Sequence, residues 1–471
     1  MCRLPKRPVA REFQLNLPRV FLALPQCFAP GRGNLADLSG SASVLANRRN
    51  WGYKPRMKLE EKFVHRRLPS GVEFAALPMT ARRIAAYEIR VFAGLSHEPE
   101  SLGGLARTVE ESISKGTRQR SAQELTDAFD AIGAQTGSGV GRESMVFRCT
   151  CLPEYLDHAL GLHAEMLRTP TFPQEFVDVA IELAQQELTS LEDEPGELAR
   201  KLIEPHAFGE VLGRHELGTM ESLARITGQD VTNFWRDCFS AGRIQVTVGG
   251  GIDVEKVAAR IDQLFGGFGD PNARNGGPLN SQFAPGRRHH PKELEQEHIL
   301  ICWPGVPVDH DDYPVQRITL GVLGEGMSSR LFVEVREKQG LVYWVGAWDE
   351  HPRNSGRMFM GASTTPARCD QTYSTLLREV DRLAKDVTDE EIERVKVGAI
   401  AKTQTHGDIT RARVSELSSD LFYFGRPVSV VEKNEKLAAV TIADVQAYLE
   451  KYPRDQLCVQ TLGPRALEGV A

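Results

Sequence analysis

One pattern of strands and helices runs through this chain twice, and this restricts the possible folds more than any other feature. In the first pass AAYEIRVFAG (85–94), ESMVFRCTCL (143–152) and RIQVTVGGGI (243–252) have the apolar, β-branched character of strands. Helix-patterned stretches lie among them: 103–116, stopping at Gly116, 121–135, opening on a Ser cap, 153–170 and 173–195. The second pass sets HILICWPG (298–305), VYWVGAWDE (342–350), RMFMGAST (357–364) and QLCVQTLG (456–463) among helical stretches at 313–324, 328–340, 370–386, 388–405 and 441–452. Between the passes, residues 267–292 are rich in Gly, Pro, Asn and Arg, which is a linker composition. The expected fold class is α+β, with two homologous domains at 57–266 and 293–471, each a mixed β-sheet with helices packed on one face.

Residues 57–79 read as strand, Pro-Ser-Gly turn and strand. Residues 1–56 differ: ten Lys or Arg, two acids, and five prolines by residue 30. An Arg-rich, acid-poor start resembles an organelle-targeting segment, but the prolines would break a targeting helix. A disordered or non-native extension is expected there, and a cytoplasmic location, or a mitochondrial or other one if the segment is a targeting signal. The remaining residues carry 47 basic and 61 acidic side chains, a net of −14, which argues against a nucleic-acid partner. No apolar run approaches the 18 residues or so of a membrane span. The eight cysteines form no C-x-x-C, and reduced thiols are expected. Cys149 and Cys151, the one close pair, are read as strand neighbours facing opposite sides.

Three segments in order, GLSHEPESLGGLARTVEESISKGT (94–117), GRHELGTMESLARIT (213–227) and LGEGMSSRLFVEVREKQGLVYWVGA (323–347), resemble the pitrilysin/insulinase family of zinc peptidases, in particular the mitochondrial processing peptidase-like subfamily. The resemblance covers about residues 58–465 and implies a clamshell half. In that family a helix carries His-x-x-Glu-His, whose i and i+4 ligands share a face, and a later helix gives a glutamate as third ligand. A zinc-bound water is then deprotonated by the motif glutamate.

Carried over by position, the first ligand is Arg107, the base is Glu110, the second ligand is Glu111, and the third ligand is Glu187, 76 residues after Glu111. An accessory acid seven residues before that ligand is replaced by Ala180. Both histidines are therefore gone. A guanidinium stays protonated and offers no lone pair, so Arg107 cannot bind a metal. No other histidine stands in: His97 precedes the helix, His158 and His163 sit on another helix, and His289 and His290 fall in the linker. Arg107 either replaces the metal's charge, pairing with Glu111, Glu187 or both, or makes a solvated helix-face pair worth about 0.3 kcal/mol.

The second half keeps more. The resemblance implies that Arg336 and Tyr343, seven residues apart, bind substrate and stabilise the scissile carbonyl. Both side chains can donate to an oxyanion. The resemblance therefore implies a family member inactive alone, with no metal or cofactor of its own. It would be the non-catalytic subunit of a heterodimeric peptidase, with zinc in a half-size partner chain and unfolded peptide as substrate. The alternatives are a peptide-binding or scaffold protein of the same fold, or an unorthodox hydrolase built on Glu110.

Overall fold

The computed structural model of the protein describes residues 61–274, 277 and 279–468. The expectation for residues 1–56 lies outside the described residues. Among the described residues eleven strands form two sheets. The first holds β1 (Val64–Arg67), β2 (Glu73–Pro78), β3 (Ala85–Val91), β4 (Gln135–Val140), β5 (Met145–Cys151) and β6 (Ile244–Gly250). Its order is β1-β2-β6-β3-β5-β4. The second holds β7 (Gly286–Pro291), β8 (Glu297–Gly305), β9 (Val342–Glu350), β10 (Gly356–Thr364) and β11 (Cys458–Gly463), in the order β7-β11-β8-β10-β9. In each sheet one pair is parallel (β2 with β6, β7 with β11), and the pairs that follow are antiparallel. Apart from the extra β1, the two sheets match strand for strand, and β4 and β9 are equivalent edge strands. The duplicated α+β architecture is therefore present.

Strand alternation divides the packing. Tyr87, Ile89 and Val91 of β3 point into a core shared with the first half's own helices, while Glu88 and Arg90 point to the opposite face. That face is covered by helix Thr410–Phe424, which belongs to the second half. Its Leu417 and Leu421 pack on Ala75 and Leu77. Its Ser415 hydroxyl donates to Glu88 (3.0 Å), and Arg90 Nε donates to Ser418 (3.2 Å). Glu88, only 1% exposed, is neutralised by Arg90 (3.0 Å) and Arg148 (2.9 Å), as a buried carboxylate requires.

The exchange is mutual. Helix Pro195–Leu212 of the first half covers the outer face of the second sheet. Leu198, Ile203 and Phe208 meet Leu300, Cys302 and Phe359, and Arg357 Nε donates to the Ala207 carbonyl (2.7 Å). Cross-half ion pairs lock the hairpin tips: the β4–β5 turn places Arg142 3.0 Å from Glu350 and Glu143 2.8 Å from Arg353.

Three readings change. Residues 286–291, read as the end of a linker, are the edge strand β7. Its charged sequence GRRHHP hides a strand defined by pairing with β11. Cys149 and Cys151 face the same core, because side chains two residues apart share a face of a strand. The six described cysteines are all free thiols. Both exchanged helices went unrecognised in the sequence. Replacing Phe208 by Ala should cost about 3–5 kcal/mol in a urea unfolding curve, because it empties the contact between the halves. Val179→Ala, on an exposed helix face, should stay within about 0.5 kcal/mol.

Candidate functional site

The segment singled out at 103–116 forms helix Leu105–Ser112. Gly104 enters it with φ 93°. Glu98 satisfies its first donors, accepting from Gly104 N (3.2 Å) and Ala106 N (2.8 Å). Burial pushes the Glu98 carboxyl up to about 7 despite these bonds. The glycine-rich connection at 213–227 docks on the same entrance. A Cβ at Gly218 would lie 2.1 Å from the Gly103 carbonyl oxygen, so the two backbones meet directly. Ser222 Oγ donates to that carbonyl (2.7 Å). Two of the three segments that carry the resemblance are thus one structural unit.

Within the helix, Arg107 turns back on its own turn. It lies 2.7 Å from Glu111 and 3.3 Å from Glu110. Glu187, on helix Gln174–Leu191, makes no ion pair with Arg107 among the described residues, although its charge acts on the guanidinium. Arg107 thus pairs with Glu111 and leaves Glu187 at a distance. Burial disfavours the Arg107 cation, but Glu110, Glu111, Glu216 and Glu187 together hold its pKa above the usual value. Glu110 has a side chain 4% exposed. Burial raises its pKa, while a hydrogen bond from Ser138 and the charge of Arg107 work the other way. Ser138 belongs to β4, whose outer edge is unpaired among the described residues, so open backbone donors and acceptors run beside Glu110.

Zinc does not fit this donor set. The position of its first ligand is a cation tied to the other two motif residues. Among the described residues no group of three or more His, Cys, Asp or Glu is arranged to hold a metal. Two of the histidines considered are engaged elsewhere: His163 bonds the Tyr87 hydroxyl (2.6 Å), and His289 bonds Thr461 (2.9 Å).

Arg336 and Tyr343 do come together. Arg336 lies on the π-type helical stretch Phe332–Lys338 and Tyr343 at the start of β9. The Arg336 guanidinium carbon sits 5.0 Å from the centre of the Tyr343 ring and 4.8 Å from that of Phe332. Tyr343 is 78% exposed, so no described residue covers it. Among the described residues Arg336 has no carboxylate partner and the Tyr343 hydroxyl has no hydrogen bond. Both groups are uncommitted donors.

Sequence reasoning missed four members of the first-half site. Glu216 keeps solvent contact, yet its crowded surroundings raise its pKa, and Arg107 and Arg200 oppose that rise. Arg200 also holds Glu204 and Glu350 (both 3.1 Å). Glu98 carries a legible signal, an acid shortly before a Gly-Gly helix entrance. Glu216, Arg200 and Ser138 carry none, because they arrive from separate segments.

Residues 75–220 match the family model described as insulinase (peptidase family M16), and residues 225–398 match that described as peptidase M16 inactive domain. An uncharacterized zinc protease of Streptomyces coelicolor is 28% identical, over 84% of this chain and 88% of its own. The uncharacterized zinc protease YmxG of Bacillus subtilis is 25% identical, over 81% and 93%. A structure described as a peptidase M16 inactive domain from Pseudomonas fluorescens has a TM-score of 0.78 at 19% identity, covering 87% of this chain and 99% of that one. A protease from Helicobacter pylori has a TM-score of 0.76 at 16% identity, covering 86% and 100%. These two structures share the fold.

Arg107 offsets the burial that disfavours the ionised form of Glu110. A carboxyl with a raised pKa binds its proton more tightly in the folded state, so stability falls as pH rises through that pKa. Arg107→Ala removes the charge that opposes the rise at buried Glu110. It should therefore destabilise by about 1–2 kcal/mol in urea unfolding, with a larger loss at about pH 8 than at about pH 5. An unchanged midpoint at both pH values would make Arg107 a solvated helix-face residue.

Proposed function

We infer that this chain, which belongs to the insulinase (M16) family of peptidases, is the non-catalytic subunit of a two-chain zinc peptidase. The observation that carries the reading is the pair of donors at Arg336 and Tyr343, stacked on each other, with the Tyr343 phenol open to solvent and Arg336 half-buried. A phenol O–H and a guanidinium N–H, fixed side by side, suit the oxygen of a carbonyl under attack. In this reading the zinc and its activated water belong to a half-size partner with an intact His-x-x-Glu-His. Arg336 and Tyr343 reach the scissile carbonyl across the chamber that the two chains enclose.

The first half supports the same division. Arg107 puts a fixed charge at the first ligand's position, paired to Glu111 and Glu110, and Glu110 keeps the base's place. Beside it the open edge of β4 offers backbone pairing to an extended peptide, which reads chain conformation more than side-chain identity. Unfolded peptide is the substrate class that follows. A scaffold role without proteolysis would leave Arg336 and Tyr343 with no task.

The test mixes purified chain with the partner family member from the same source and follows cleavage of an unstructured fluorogenic peptide. Each chain alone should be inactive and the mixture active. Arg336→Ala should lower kcat by about 100-fold, the usual weight of one oxyanion donor, while the complex still forms on a sizing column. A complex that forms but is equally active with Arg336→Ala overturns the assignment.

A further inference from the structure

We propose that a cavity in the helical layer of the second half is a binding site for a small organic cation with an apolar body. The cavity is half-enclosed and has a volume of about 970 Å3. Helices Tyr313–Gly324, Asp389–Gly407, Thr410–Phe424 and Val430–Ala439 wall it. None of Arg107, Glu110, Glu187, Arg336 and Tyr343 lines it. Its origin follows from the helix exchange. Helix Thr410–Phe424 leaves its own half to cover the first sheet, and so stands off from helix Tyr313–Gly324. Close-packed interiors do not leave gaps of this size, whereas small-molecule sites occupy several hundred cubic ångströms.

The lining selects the ligand's chemistry. Val315, Ile318, Val395, Ala399, Phe424 and Leu437 give apolar walls. Seven carboxylates line the space against four Lys or Arg. The cations are already engaged: Arg317 lies 3.1 Å from Asp349, Lys433 lies 2.6 Å from Asp420 and 2.7 Å from Glu416, Lys436 lies 3.2 Å from Glu432, and Lys402 lies 3.8 Å from Glu325. Asp309 and Asp311 have no ion pair among the described residues. An anion would therefore meet no free positive charge, while a cation meets an excess of negative charge.

Asp420 is the anchor. Its side chain is 6% exposed. One of its oxygens takes Lys433 and the other accepts from Val428 N (3.2 Å). A carboxylate has about four acceptor positions, so room remains for an ammonium or guanidinium donor. Burial pushes this carboxyl up to about 6, and Lys433 beside it works the other way.

Calorimetric titration of the full chain with phenylpropylamine, phenylpropanol and phenylpropanoate tests the site without any partner protein. The amine should bind about tenfold more tightly than the alcohol, as a charge-assisted hydrogen bond requires, and the carboxylate should not bind. Asp420→Asn should remove that tenfold advantage and leave the alcohol unchanged. Ala399→Trp, which fills the cavity without altering its charge, should abolish binding of both, and it decides the matter if Asp420→Asn fails to fold. Equal affinity for all three probes, no binding of the amine, or undiminished amine binding in a folded Asp420→Asn or Ala399→Trp chain overturns the proposal.

Discussion

Each sheet of this protein buries its second face under a helix that belongs to the other half. A sheet of this kind has apolar side chains on both faces, and a face left open would expose them. Here the first sheet receives Leu417 and Leu421 from helix Thr410–Phe424, and the second receives Leu198 and Phe208 from helix Pro195–Leu212. Neither half is complete alone. The Arg142–Glu350 and Glu143–Arg353 pairs then fix one hairpin tip to the other. With both faces of each sheet covered, what remains open are edges, β4 among them in the first sheet and β9 in the second.

Those two edges carry the two unlike sites. Beside β4 stands a helix that keeps the frame of a metal site and has lost its chemistry. Arg107 is held within its own helix because the nearest carboxylates are one turn away, at i+3 and i+4. Glu187 is left as a neighbouring charge. Beside β9 stand two donors without partners. A stability role would leave such groups paired, as Glu88 and Glu143 are. Their freedom in this chain fits groups that act on something outside it.

Much of this was legible in the sequence. Most strands were readable from their apolar, buried residues, and β1, with the sequence VHRR, only from the turn that follows it. β4 and β7 were not. QTGSGV has two glycines and GRRHHP four charged or imidazole side chains, so both are strands by virtue of their neighbours. The exchanged helices were lost for a different reason. Pro205 lies inside the first, and Gly209, with φ 86°, breaks it, so its pattern is interrupted. The second carries Arg413, Ser418 and Asp420 on buried faces, which blurs any apolar stripe. Motif spacing placed Arg107, Glu110 and Glu111 on one helix and Arg336 near Tyr343. It could not place Glu216, Arg200 or Ser138, because tertiary contacts alone bring them in. Nor could it show that Arg107 pairs with Glu110 and Glu111 and makes no ion pair with Glu187 among the described residues.

The division of labour between this chain and a metal-bearing partner rests on Arg107 excluding zinc. The direct measurement is metal content after equilibration with excess zinc and removal of free ion, on the purified full-length chain alone and on its complex with the partner. The expected result is far below one zinc per chain alone and one zinc per complex. One tightly held zinc per isolated chain, lost on Glu111→Ala or Glu187→Ala, would contradict it.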